Sequence, residues 1–236
     1  MILEPWIDTA FVIDIETSGL DPFRNEVLTL SVSAVSIQDD RELDSELFLF
    51  KPENKAFWSA ESESIHGISW EKAKLFEDKK KEWLRFIKFL SCYAHKPQIM
   101  VCHAMWFGKY FDSSFIDCQL DQIGLLFEKR KYIGRPFSTM TMAKELAKKN
   151  AIRTESFSLD SLAKIYGIEL KHHDASSDRE ACQKLFIEFK NKGVTDVYTD
   201  PNHVPDLAPQ KKKTSVKAKK DEKSNSKSDH RQPILG

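Results

Sequence analysis

A chain of 236 residues with 41% hydrophobic side chains can bury one sizeable core, which excludes a protein disordered throughout. Lys and Arg balance Asp and Glu at 36 each, yet nine of the basic and only three of the acidic residues lie between Pro209 and Gly236, so the body is acidic and the tail basic. The four cysteines show no C-x-x-C spacing, no apolar run reaches the length of a membrane span and no signal peptide is apparent, so a reduced, cytoplasmic protein with no membrane partner is expected. An acidic body with a basic tail suits a body that holds cations and a tail that touches polyanions.

Strands come first. Residues 10–16, 27–37 and 45–50 have the apolar, β-branched content of sheet segments, and "GLDPFRNE" between the first two reads as a turn. A helical period begins near Glu82 and places Trp83, Phe86, Ile87 and Leu90 on one face. "QIMVCH" (98–103) reads as a fourth strand, followed by a helical stretch to about Phe127. "TMAKELAKK" and "SLDSLAKIYGI" read as helices, the second with Leu159, Leu162, Ala163 and Tyr166 in register. A last helix from about Ala175 directs Ala181, Cys182, Leu185, Phe186 and Phe189 to the core. Strands followed by helices alternating around a further strand predict an α/β fold with a mixed sheet. Residues 1–198 are expected to form one domain. Residues 199–236, nearly devoid of large apolar side chains, are expected to be a disordered basic tail.

The first strand contains an anomaly. In "FVIDIETSGL" (11–20), Asp14 and Glu16 interrupt an otherwise apolar run. Residues two apart share a face of a strand, so the two carboxylates stand together while Phe11, Ile13 and Ile15 point the other way. Burying two like charges unpaired is costly. Alone, D-x-E is a weak signal, and a solvent-facing pair at a strand end is the commoner reading of it. A second acidic cluster lies in "HHDASSDREAC" (172–182), where His173 and Asp178 are five apart at the mouth of a helix. Five residues overshoot one helical turn by about 140°, so His173 is expected in the loop before the helix and Asp178 in its first turns.

"FVIDIETSGLDP", "IHGIS" (65–69), "SLDSLAKIYGI" and "HHDASSDREAC" resemble, in order and spacing, the DEDDh (DnaQ-like) 3′–5′ exonucleases. That superfamily includes polymerase proofreading subunits, RNase T and oligoribonuclease, and the resemblance covers residues 9 to about 190. It implies a ribonuclease H-like mixed sheet flanked by helices and two divalent metal ions, Mg²⁺ or Mn²⁺. Such ions prefer carboxylate oxygens, and a pair of them clamps the attacking and leaving oxygens of an in-line phosphodiester displacement. By resemblance Asp14 bridges both ions, Glu16 binds one, Asp178 closes the cage from the last helix and His173 is the general base. His172 is the alternative base, one residue too far from Asp178 for the family spacing. The sister group places Tyr where this chain has Asp174, which excludes that variant.

The second motif departs from the family pattern H-N-x-x-F-D. Aligned without gaps from His103, its Asp falls on Gly108, which predicts a weak enzyme or a binding relic. An insertion of about one helical turn places "FDSSFI" on the motif instead, with Asp112 as the fourth acid, and that alignment is preferred. By resemblance Thr17, Ser18, Gly19, Leu20 and His66 contact the 3′-terminal nucleotide. Phe57, Trp58 and Trp70 are candidates for stacking on bases or, equally, for packing. Ser138-Thr139 falls where relatives carry Asp-Thr and suggests no catalytic role. The expected function is metal-dependent 3′–5′ exonuclease action on single-stranded or frayed DNA ends, releasing nucleoside 5′-monophosphates. A DNA polymerase or another replication or repair protein is the expected partner. The alternatives are an RNA-directed enzyme and a catalytically weak binding module.

Overall fold

The computed structural model describes residues 7–106, 108–171 and 173–193. The expected tail, the boundary at 198 and His172 lie outside them. A five-stranded sheet in the order β3-β2-β1-β4-β7 forms the centre. β1 (Thr9–Thr17), β2 (Val27–Ser36) and β3 (Glu42–Leu49) make an antiparallel meander. β4 (Gln98–Cys102) and β7 (Ile133–Ser138) add to β1 in parallel. This is the mixed sheet flanked by helices that the sequence predicts.

The two-residue period of β1 sorts its side chains into two cores. Phe11, Ile13 and Ile15 pack with Trp83, Phe86, Phe89 and Leu90 of α3 (Lys79–Tyr93) and with Phe115, Ile116 and Leu120 of α4 (Phe111–Gln122). Ala10 and Val12 face the opposite side and meet α6 (Thr139–Lys148), α7 (Leu159–Ile165) and α8 (Ala175–Asn191) through Met142, Leu146, Leu162, Cys182, Leu185 and Phe186. Truncating any of the large buried aromatics to Ala would cost about 3–5 kcal/mol. Two short helices, α1 (Ala60–His66) and α2 (Trp70–Ala73), follow a 3₁₀ turn at Lys55–Phe57.

Three stretches differ from the sequence expectation. The stretch after β4 is not one helix. A two-stranded hairpin, β5 (Met105–Trp106) and β6 (Lys109–Tyr110), precedes α4, and α5 (Leu126–Arg130) follows it. Gly108 (φ 76°) makes the hairpin turn, and Gly124 (φ 72°) follows the end of α4; both conformations favour glycine. The extra residues of the second motif therefore fold as a hairpin, not as an added helical turn. β7 was not expected, because Gly134 and Pro136 interrupt its apolar run. Among the described residues it pairs with β4 alone, and proline is tolerated on such an edge strand. The 3₁₀ turn, α1 and α2 carry too few apolar positions to show a helical period. Among the described residues, no helix is long and apolar enough to cross a membrane.

Candidate active site

Asp14 and Glu16 continue the even-numbered face of β1, the face that α8 covers. Asp178 is the fourth residue of α8, whose N-cap Asp174 accepts a hydrogen bond from Ser177 N–H at 3.0 Å. The carboxylate oxygens offered by Asp14, Glu16 and Asp178 all lie within 4.8 Å of one another. Asp112, the second residue of α4, approaches from the other side of the strand and is 3% exposed. Among the described residues nothing donates a hydrogen bond to its buried Oδ2.

The electrostatics follow from this crowding. Burial, then the charges of Asp112, Glu16, Asp178 and Asp174, push the Asp14 carboxyl well above the ordinary range. Burial, then Asp178, Asp112 and Asp174, push Glu16 up to about 8. Burial raises Asp112 to about 7 against opposing hydrogen bonds from its own N–H, the Cys102 thiol and the Ile15 N–H. Hard oxygen donors that converge in so acidic and shielded a place form a site suited to divalent cations. The donor set fits Mg²⁺ or Mn²⁺ and offers no soft ligand.

Asp112 is not one of the three converging carboxylates, but its charge is the largest acting on Asp14, whereas Gly108 lies at the hairpin turn. His173 is exposed, adopts a left-handed backbone (φ 59°) and directly precedes the α8 N-cap, as the five-residue spacing predicts. His66 ends α1 against Gly67 in the left-handed C-cap. Its Nδ1 accepts from Ile68 N–H at 3.0 Å, so Nε2 carries the proton and donates to the Thr17 carbonyl at 3.2 Å. Burial, the largest influence, lowers its pKa, so a neutral ring ties α1 to the end of β1.

The loop after β1 uses most of its polar groups internally. Thr17 Oγ1 donates to the Gly19 carbonyl at 2.7 Å, and Ser18 Oγ accepts from Glu26 N–H at 2.9 Å. Asn25, which donates to the Phe57 carbonyl, packs so closely on Gly19 that a Cβ there would collide with its side chain. Leu20 stands half exposed beyond it. Trp58 and Trp70 pack edge to face at 5.3 Å, and Trp58 Nε1 donates to Glu63, so packing engages both rings. Phe57 remains exposed. Ser138 caps α6 and donates to the His103 carbonyl, while Thr139 bonds His103 Nδ1 at 2.8 Å.

Sequence reasoning missed Asp174 and Cys102 as members of the acidic neighbourhood. The N-cap position of Asp174, three residues before Ser177 and four before Asp178, was its only signal. Cys102 ends a strand with no polar neighbour in sequence that points to Asp112.

A family model described as exonuclease (RNase_T) matches residues 11–186. The chain is 31% identical over 195 residues to the DNA polymerase III PolC-type of Thermotoga petrophila and 26% identical over 183 residues to that of Caldanaerobacter subterraneus subsp. tengcongensis. These matches cover 79% and 77% of this chain but only 12% and 11% of the polymerases. Among solved structures, a zinc-bound complex of Escherichia coli exonuclease I with single-stranded DNA superimposes with a TM-score of 0.66 at 17% identity. That match covers 79% of this chain and 41% of that one. The apo form of exonuclease I gives a TM-score of 0.66 at 16% identity over 78% of this chain and 42% of that one.

Proposed function

The chain belongs to the DnaQ-like 3′–5′ exonucleases, and from that premise we propose that it removes nucleotides from the 3′ end of single-stranded or frayed DNA in a divalent-metal-dependent hydrolysis. The released products are nucleoside 5′-monophosphates. The observation that carries this reading is the convergence of Asp14, Glu16 and Asp178, with Asp112 buried nearby and the Asp14, Glu16 and Asp112 carboxyls pushed up, first by burial. Asp14, Glu16 and Asp178 would hold the ions, and Asp112 would support them from α4. When bound, two Mg²⁺ or Mn²⁺ ions would neutralise this cluster and stabilise the charge that develops on the attacking and leaving oxygens.

The remaining work falls to the chain's own side chains. His173, beside the N-cap of α8, accepts the proton of the attacking water; an imidazole does this well near neutral pH. Gly19 lets the backbone of the 17–20 loop close tightly, and Leu20 offers an apolar edge to the terminal base. His66 holds the Thr17 carbonyl and with it the end of β1. Asp112 supplies a fourth acid, which supports an enzyme over a binding relic. Exonuclease I in complex with single-stranded DNA has the same fold, which supports DNA as the substrate. The PolC-type relatives are DNA polymerases, which supports a polymerase or another replication protein as partner.

The test is digestion of matched DNA and RNA oligonucleotides labelled at the 5′ end, with Mg²⁺ and with excess EDTA. The expected result is a DNA ladder shortening from the 3′ end, lost in EDTA. Full activity in EDTA would overturn the metal mechanism. Preference for the RNA strand would reassign the substrate.

A further inference from the structure

Arg179 follows Asp178 on α8 and is 4% exposed. Successive helical residues point about 100° apart. Asp178 therefore aims at the carboxylates while Arg179 reaches sideways over the sheet. Its Nε donates to Ser31 Oγ on β2 at 3.2 Å, and its Nη1 to Glu42 Oε2 at the start of β3 at 2.9 Å. Nη1 also donates to Gln183 Oε1 at 2.9 Å, one turn further along α8, and the same oxygen accepts from Ser33 Oγ at 2.6 Å. Nη2 lies 3.5 Å from Glu180 Oε1. One side chain thus joins α8 to two strands.

The strand register gives these bonds a consequence. Asp14 pairs directly with Ser31 and Val12 with Ser33, and cross-strand partners share a face. The Arg179 fork is therefore anchored opposite Asp14 itself. Placing a cation here has costs: it is desolvated, and it sits near the positive N-terminal end of a helix. A buried apolar residue would pack α8 on the sheet more simply. A planar fork with fixed bond directions adds what apolar packing lacks, a defined rotation and depth for the first turns of the helix.

We propose that Arg179 is a positioning residue that sets the Asp178 carboxylate against Asp14 and Glu16 by locking the first turns of α8 onto Ser31 and Glu42. The inference rests on reading those carboxylates as a metal cage. Its guanidinium is engaged by Ser31, Glu42, Gln183 and Glu180. It acts through the orientation of a neighbour, and losing such support typically costs about 10- to 100-fold in metal affinity or activity.

The test uses the full chain and two variants, Arg179→Lys and Glu42→Leu, because Arg179→Met risks failing to fold. Lys keeps the charge but loses the fork; Leu removes the acceptor and leaves the arginine in place. Mn²⁺ alone is titrated calorimetrically, and Tm in EDTA, kcat and KM are measured beside it. Expected for both variants is Mn²⁺ affinity weakened about 10-fold or more, with kcat reduced and KM nearly unchanged. Parent-like Mn²⁺ affinity in Arg179→Lys overturns the proposal, whether or not its Tm falls. Calorimetry needs no turnover, so a parent that binds Mn²⁺ yet digests no DNA would contradict the proposed function and leave this inference to be judged on the titration.

Discussion

At the N-terminal half of α3 the chain buries two carboxylates, Glu26 and Glu82, and compensates both. Glu26 accepts from Lys79 Nζ and from the backbone N–H groups of Glu53 and Asn54, each at 3.0 Å. Glu82, 1% exposed, receives Arg85 Nη1 on both oxygens at 2.7 Å. At the C-terminal end of β1 the same chain gathers Asp14, Glu16, Asp112 and Asp178, and the charges that act most strongly on Asp14 and Glu16 are other acids. The first region is electrostatically complete and serves the fold. The second crowds acid against acid in a buried place, which the proposed function answers with divalent cations.

Removing one acid from the uncompensated region should produce the largest effect. Asp14→Asn is expected to lower kcat by on the order of 10³-fold. In EDTA the same variant should gain about 1 kcal/mol of stability, because repulsion with Glu16 and Asp112 is relieved. A variant that loses both activity and metal-free stability would break the contrast. Asp112→Ala comes next, with a loss in kcat of about 10²-fold and substrate binding largely retained. Its control is Asp117→Ala, since Asp117 lies a turn and a residue further along α4 and accepts from Lys129 instead. Equal activity in both variants would remove Asp112 from the site.

The compensated region should respond in the opposite sense. Lys79→Met leaves Glu26 buried without its cation and should cost about 3 kcal/mol in chemical denaturation, with Mn²⁺ affinity unchanged. The smallest effect is expected at the basic end of the chain. Deleting residues 205–236 removes nine Lys and Arg, so binding to long single strands should weaken and lose part of its salt dependence. Turnover on short oligonucleotides should hardly change.

How far the sequence could be read depended on whether a signal was local. The alternation of β1, the helical period of α3 and the acidic turn of α8 are each written within some ten residues, and all three led to the right faces. Asp112 required a gap, and the physical form of that gap, a hairpin turning on Gly108, was not recognisable from helix-like spacing. β7 escaped because proline at an edge strand looks the same in sequence as proline in a loop. The bond from Arg179 to Ser31 joins residues 148 apart on different elements. Only the strand register brings Arg179 opposite Asp14.

The most direct test of the central claim follows Tm from pH 6.5 to 8.5, once in EDTA and once in Mn²⁺. Glu16 and Asp112, whose folded pKa values rise to about 8 and about 7, hold protons that the unfolded chain has already released. Their stabilising contribution is complete below the ordinary carboxylate range and is lost as pH rises through the folded values. His103, which burial lowers to about 4, is neutral in both states across most of this window and so adds little slope. Tm in EDTA is expected to fall as pH rises, Mn²⁺ to restore it and the gap between the two curves to widen toward pH 8.5. Parallel curves, or a Tm in EDTA that does not depend on pH over this range, would contradict the central claim.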